Sequence, residues 1–323
     1  MSEFAFELEL CAALEDGEYG DSVVARQLGG SVADPGGRIL DIVCVESGPE
    51  FADRVAITGE TIPGAAIESA IGTGRARFWK DAFDCHTERA RRIVERACEI
   101  GFFARERRGG RDYVRQVARY PDWYGRIVGI ENKPDLGTPG DLEAQLRTDA
   151  SLGLVDEAIL ATESYVTRAH LNRIPEVIGV WRFFPESGDL EVIREPTPLP
   201  VSEPGIELLA EHPGRTEIAV VSAAEKARAR RRLAERAYGK GWRTYAFPDC
   251  GACEPTTDRD ETLPYCTWKE CVVDPASECG AACGGFEAVE TPDIDLEAER
   301  ERRTSWVADP GGARRQSGLD RFL

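Results

Sequence analysis

The stretch that most constrains this chain is Arg126 to Leu136, RIVGIENKPDL. Its apolar run, Ile127 to Ile130, predicts a short strand. The strand ends in Glu131-Asn132-Lys133 and is stopped at Pro134, which has no N–H to offer a ladder. Side chains alternate across a strand, so Glu131 and Lys133 are expected on one face. An acid and an amine so spaced suit phosphodiester hydrolysis. The acid holds a hard divalent cation through oxygen, and the amine orients or activates the attacking water.

One carboxylate holds Mg²⁺ weakly, because that ion wants octahedral oxygen coordination from more than one carboxylate or phosphate. Asp41 is the second candidate; it interrupts an apolar strand read over Arg38 to Glu46, RILDIVCVE. Glu7 is the third. It lies on a helix read over Glu3 to Glu15, in line with Leu10, Cys11 and Leu14 and hence with the apolar stripe. A helix Glu, a strand Asp and a strand Glu-x-Lys, in that order, resemble the PD-(D/E)XK nuclease superfamily, which includes restriction-type and RecB-type nucleases. The resemblance covers residues 1–50 and 120–196.

The resemblance implies an α/β fold with a mixed sheet flanked by helices. It implies Glu7, Asp41, Glu131 and Lys133 as catalytic residues, with Mg²⁺ or Mn²⁺ held by Asp41 and Glu131. The elements read downstream follow the superfamily's order: a helix over Asp141 to Leu152, a strand over Glu157 to Glu163 and a short helix over Val166 to Ile174. A hairpin of Val177 to Phe184 and Leu190 to Arg194 closes the run. Gln145 stands where some RecB-like members carry a substrate-contacting Gln. Asn132 departs from the family, which usually has an apolar residue at that place. Asp41 and Glu131 are ninety positions apart, so a whole module is expected between their strands.

That module is residues 56–119. Short helices are read over Gly64 to Ile71 and Arg75 to Phe83, and a longer one over Glu88 to Ile100 with Thr87 as its cap. Phe102 to Arg107 and Arg111 to Val117 then read as a hairpin about Gly109-Gly110. Helices followed by a hairpin resemble a winged helix. From Arg75 to Arg119 there are 13 Arg or Lys against seven Asp or Glu, a local net of +6 in a chain whose total is −18. A basic island in an acidic chain points to phosphate contacts with DNA. Arg105, Arg107, Arg108 and Arg111 ring the hairpin tip.

The remainder divides as follows. Residues 1–55 and 120–200 are the two parts of the nuclease-like core. Residues 201–249 read as an αβ extension, with strands at Glu217 to Val221 and Trp242 to Phe247 around a basic helix, Ala223 to Tyr238. Residues 250–290 hold Cys250, Cys253, Cys266, Cys271, Cys279 and Cys283. Clustered thiols in an intracellular chain point to metal ligation more than to disulfides, and so few apolar residues intervene that a bound ion would supply the folding free energy. Zinc and an iron–sulfur cluster both fit four thiolates. Cys11, Cys44, Cys85 and Cys98 are expected as buried packing residues.

Residues 291–323 read as a charged, flexible tail. Its end, Gln316, Leu319, Phe322 and Leu323, resembles the PIP box that binds the sliding clamp, PCNA. One helical turn would set the three apolar residues on one side.

The chain has no run of 18 apolar residues and starts with the acidic MSEFAFELEL. A soluble, cytoplasmic protein is expected, with no membrane span. Only five of the 40 basic residues are Lys. Surplus acid with scarce Lys suits a high-salt cytoplasm, or equally an acidic protein from a GC-rich genome. The combined expectation is a metal-dependent DNA nuclease tethered to the clamp, acting in repair or replication. The alternatives are an inactive nuclease-fold adaptor that brings DNA to the clamp, and a metal-containing transcription factor.

Overall fold

The apolar run before Glu131 forms a strand covered on both faces, and the molecule is layered around it. The computed structural model describes residues 2–17, 19–138, 140–243, 245–256 and 262–311. In chain order the first elements are α1 (Glu3–Asp16), β1 (Ser22–Gly29) and β2 (Ile39–Ser47). Then come α2 (Phe51–Val55), α3 (Gly64–Ile67), β3 (Arg77–Phe78), α4 (Thr87–Glu99), β4 (Phe103–Arg108) and β5 (Arg111–Gln116). The chain continues through β6 (Tyr124–Asn132), α5 (Leu142–Leu152), β7 (Glu157–Thr162), α6 (Arg168–Leu171), β8 (Gly179–Phe184) and β9 (Asp189–Arg194). It closes with β10 (Gly205–His212), β11 (Arg215–Val221), α7 (Ala223–Lys240), β12 (Cys253–Pro255), β13 (Pro264–Cys266), β14 (Cys271–Val272), α8 (Pro275–Glu278) and α9 (Leu296–Arg303).

Six strands form one mixed sheet in the order β1-β2-β6-β7-β8-β9. β6 pairs antiparallel with β2 and parallel with β7. The period-two alternation of β2 divides the core. Ile42 and Cys44 face α1 and pack with Phe6, Leu10, Leu14, Val128 and Ile130. Val43 and Val45 face the opposite layer, where Leu142, Leu146 and Leu152 of α5 and Leu233, Ala237 and Tyr238 of α7 pack. The fold is thus α/β, a large mixed sheet between helical layers, as the sequence predicted at that level. Among the described residues no helix is long and apolar enough to cross a membrane.

The chain leaves the sheet after Ser47 and returns at Tyr124. The intervening module has its own core of Ile57, Ile62, Ala66, Val94, Ala97, Phe102, Phe103 and Val114. Its strands form a small antiparallel sheet, β3-β5-β4. The helix expected over Arg75 to Phe83 is absent: Arg77 and Phe78 pair with Val114 and Tyr113, and only Trp79–Asp81 makes a 3-10 turn. Edge pairing to β5 outweighs the helical pattern, which Gly72 and Gly74 already weaken.

Two further expectations fail for physical reasons. Trp242 to Phe247 forms no strand among its described residues; its aromatic spacing serves packing, with Trp242 Nε1 donating to Glu15 at 2.8 Å. Glu217 to Val221 is a strand as read, within β11, and it pairs with β10, a strand hidden in the sequence behind the Pro-rich stretch from Pro196 to Pro204. Residues from 291 to 308 are not a free tail either. Asp295 caps α9, Arg300 stacks 4.4 Å over the ring of Trp306, and Trp306 Nε1 donates to Gly59 O at 2.9 Å. The charged composition of that stretch hides two anchors. Gln316, Leu319, Phe322 and Leu323 lie outside the described residues.

The basic helix α7 begins with a Ser222–Glu225 capping box and is a core element. Arg230 pairs with Asp156 at 2.7 Å. Glu235 accepts from Arg54 at 2.7 and 2.9 Å and from Tyr120 at 2.9 Å, so the root of the inserted module is latched to α7. Arg54 is fully buried, and its remaining donors go to Thr58 O and Glu60 O. Removing one partner of such a pair strands the other charge. Glu235→Ala is expected to destabilise the protein by about 3–5 kcal/mol in urea unfolding. A loss under about 1 kcal/mol would contradict the latch.

Candidate active site

The sheet opens at the end of β1, β2 and β6 into a cleft between the N-terminus of α1 and α5. It is lined by Glu3, Glu7, Arg26, Gln27, Asp41, Glu131, Asn132, Lys133 and Gln145, among others, and has a volume of about 590 Å³. The register of β2 on β6, Ile42 opposite Ile130, brings Asp41 level with Glu131. The Asn132 backbone N–H donates to Asp41 Oδ2 at 3.0 Å. Glu7 reaches the same cleft from α1, because its place on the apolar stripe turns it toward the sheet; it is only 3% exposed. Sequence-predicted Glu7, Asp41, Glu131, Lys133 and Gln145 therefore share one cavity, although they come from two helices and two strands.

β6 is assigned through Asn132, yet the Lys133 N–H still donates to Ala161 O of β7 at 2.9 Å, and Glu131 and Lys133 both reach the cleft. Lys133 lines the cleft, but its ammonium pairs with Glu3 of α1. Glu131 turns instead to Arg38, at 2.6 Å.

Four participants were missed in the sequence. Arg38 binds Asp149 at 3.1 and 2.7 Å as well as Glu131. Arg26 binds Glu7 at 2.6 Å. Gln27 donates to both oxygens of Glu7, at 3.0 and 2.9 Å, and more distantly to Asp41 at 3.4 Å. Gln27 does so from a left-handed backbone, φ +55°, inside a strand. Such strain persists only where the surroundings hold it, and it collects at functional sites. Asp149 had a legible signal, since it follows Gln145 by one helical turn and so shares its face. For Gln27 no local pattern exists. Asn132 donates its side-chain amide to Glu7 at 3.0 Å, while its Oδ1 is buried with no hydrogen-bond partner among the described residues.

The electrostatics follow from this crowding. Burial pushes the Glu131 carboxyl up to about 8; Arg38 opposes the rise, and Asp41 and Asp149 add to it. Burial also raises Asp41 and Glu7. Desolvation works against the Arg38 charge, but Asp149 and Glu131 outweigh it and raise the guanidinium's pKa further, so it stays charged. Both directions are consistent: one guanidinium serves two acids, so it gains while Glu131 loses. Four acids, Glu7, Asp41, Glu131 and Asp149, face two guanidiniums, Arg26 and Arg38. Fully ionised, the set carries −2, which one divalent cation would neutralise. Among the described residues, no three Cys, His, Asp or Glu side chains are already drawn up in ligating geometry. The carboxylates are held by Arg and amide partners.

The other predicted residues lie apart. Arg105, Arg107, Arg108 and Arg111 are exposed around the β4–β5 turn and do not line the cleft. Arg105 lies 3.8 Å from Asp112, and Arg108 pairs with Glu106. Arg108 and Arg111 also stack 5.5 Å over Tyr113 and 5.7 Å over Phe78, whose rings lie 5.8 Å apart. The six clustered cysteines are all free thiols. Burial, then the neighbouring thiols of Cys279, Cys266 and Cys250, push Cys253 up to about 12. Cys11 and Cys44 are buried as expected; Cys85 and Cys98 are only half-buried.

An α/β protein with an acid-lined cleft at the end of a mixed sheet is the class these features define. Residues 23–288 match the DUF5787 family, a family of unknown function, and the chain belongs to it. No curated protein and no solved structure matches it.

The Glu131 shift gives a signed pH dependence. Its carboxyl titrates near 8 when folded against an ordinary 4.5, so its favourable contribution is complete below 4.5 and is lost as pH rises through 8. In the presence of a chelator, melting temperature should fall from pH 5 to pH 8, and Glu131→Gln should flatten that fall. An unchanged slope in Glu131→Gln would contradict the assignment.

Proposed function

We propose that this protein is a metal-dependent nuclease that hydrolyses phosphodiester bonds in DNA, held at the replication sliding clamp by its C-terminal motif. The reading rests on one observation: Glu7, Asp41, Glu131, Lys133 and Gln145 share a cleft. Asp41 and Glu131 would hold Mg²⁺ or Mn²⁺, and Glu7 would complete the shell or hold a second ion. Such an ion polarises the scissile phosphate and lowers the pKa of bound water. To hold the ion Glu131 would leave Arg38, which would keep Asp149 as its partner. Lys133, exchanging Glu3 for substrate, would orient the water and stabilise charge on the phosphate. Gln145, beside them on α5, would touch the DNA strand.

The inserted module supports a DNA grip. Its element order and its β3-β5-β4 sheet are compatible with a winged helix, and Arg108 and Arg111 flank Phe78 and Tyr113 on one surface. Aromatic rings beside cations suit stacked bases and phosphates. Clamp tethering rests on Gln316, Leu319, Phe322 and Leu323 in the sequence alone, and would raise local concentration at the DNA.

One observation favours a second reading, an inactive adaptor that carries DNA to the clamp. Arg38 occupies Glu131, and Asn132 occupies Glu7. A cleavage panel of branched, flapped, duplex and single-stranded DNA with Mg²⁺ or Mn²⁺ separates the two. Wild type should cut at least one substrate, and Lys133→Ala and Asp41→Asn should each lose about 10²–10⁴-fold. No cleavage of any substrate, or equal rates in the variants, favours the adaptor. Deleting residues 316–323 should abolish clamp pull-down and leave cleavage of free DNA unchanged. Clamp binding that survives the deletion would refute the tether.

A further inference from the structure

The cysteine-rich segment has only a small core of its own, although Leu263 and Val272 also pack on Ala5, Leu8 and Ala12 of α1. Its strands are three, three and two residues long. Of the six buried residues in its small core, Cys250, Cys253 and Cys266 are half; Phe247, Ala252 and Val273 are the rest. So small an apolar cluster does not offset the entropy of ordering the chain around it.

The thiols, however, are placed with order. The Cys253 N–H donates to Cys250 O at 3.0 Å, closing a tight knuckle with a cysteine at each end. The β12–β13 register sets Cys253 directly opposite Cys266. Directly opposite residues share a face, with Cβ atoms about 4.5–5.5 Å apart. Cys279 follows the last residue of α8 as its cap and packs against the cluster that holds Cys250, Cys253 and Cys266.

The two remaining thiols are set off from this group. Cys271 is paired across β13–β14 with Cys266, two strands from Cys253. Two strand spacings are about 10 Å, whereas sulfurs around one tetrahedral zinc lie about 3.8 Å apart. Cys283 lies beyond α8 in the next turn, where its N–H donates to Gly280 O at 2.9 Å and its own carbonyl accepts from Phe286.

We propose that Cys250, Cys253, Cys266 and Cys279 form a four-thiolate site for a single zinc-class ion, with Cys271 and Cys283 outside it. Binding rotates the four thiols inward from their present packing and replaces four S–H protons by one divalent ion: four thiols and Zn²⁺ give a tetrathiolate complex of net charge −2 and four released protons. No electrons are transferred. The ion cross-links the knuckle, β13 and the end of α8, and so supplies the folding free energy that the apolar core lacks. The site stands independently of the acid cleft.

The full chain, purified and then supplied with zinc followed by gel filtration, tests this by elemental analysis and thiol titration. One zinc per chain is expected, and a chelator should expose four additional reactive thiols for each zinc released. Cys271→Ser and Cys283→Ser should keep full zinc content. Cys253→Ser and Cys266→Ser should retain less than half; if these do not fold, the wild-type thiol count and the two outer variants decide. Metal-free wild type, iron with acid-labile sulfide, or equal zinc loss in Cys271→Ser or Cys283→Ser would overturn the proposal.

Discussion

The structure turns on two carboxyls brought face to face by strand register. Asp41 and Glu131 meet because β2 lies antiparallel on β6; Glu131 is buried and Asp41 half-buried. Two adjacent desolvated acids repel when ionised, so the surroundings must supply positive charge, protons or donors. Arg38, the Asn132 backbone N–H and Gln27 do part of this. The same need explains why Glu7, on a different helix, comes with its own guanidinium, Arg26, and why Gln27 tolerates a left-handed backbone to reach it.

This arrangement ties fold to chemistry. The sheet end cannot be closed by apolar packing, because α1 and α5 both bring acids to it. It is held by ion pairs whose geometry a divalent cation would alter. Arg38 is central, since it bridges the strand acid Glu131 and the helix acid Asp149. It could yield one without losing the other. Lys133, paired only to an exposed glutamate at the start of α1 among the described residues, is the charge most readily turned toward a phosphate.

Much of the cleft was legible in the sequence because it depends on local periodicity. A two-residue period fixes which face of β2 and β6 an acid occupies, and the helical stripe of α1 carries Glu7 inward. What was not legible depends on tertiary placement. Arg38 and Arg26 look like ordinary strand-flanking charges until their partners arrive from 93 and 19 positions away. β10 lies behind a Pro-rich link, and its pairing with β11 has no periodic precursor. The stretch Trp242 to Phe247 shows the converse error: aromatic alternation appeared without a ladder, because those rings anchor a crossing segment. Residues 291–308 misled by composition, since one buried Arg and one buried Trp suffice to dock a charged helix.

The central claim is that Asp41 and Glu131 share one cation. Direct titration of the full-length protein with Mn²⁺, followed by electron paramagnetic resonance of the free ion, tests it without any assumption about substrate. The account expects wild type to bind Mn²⁺ and Asp41→Asn and Glu131→Gln each to lose that binding, with the folded state retained by circular dichroism. Undiminished Mn²⁺ binding in both folded variants, or none in wild type, would contradict it.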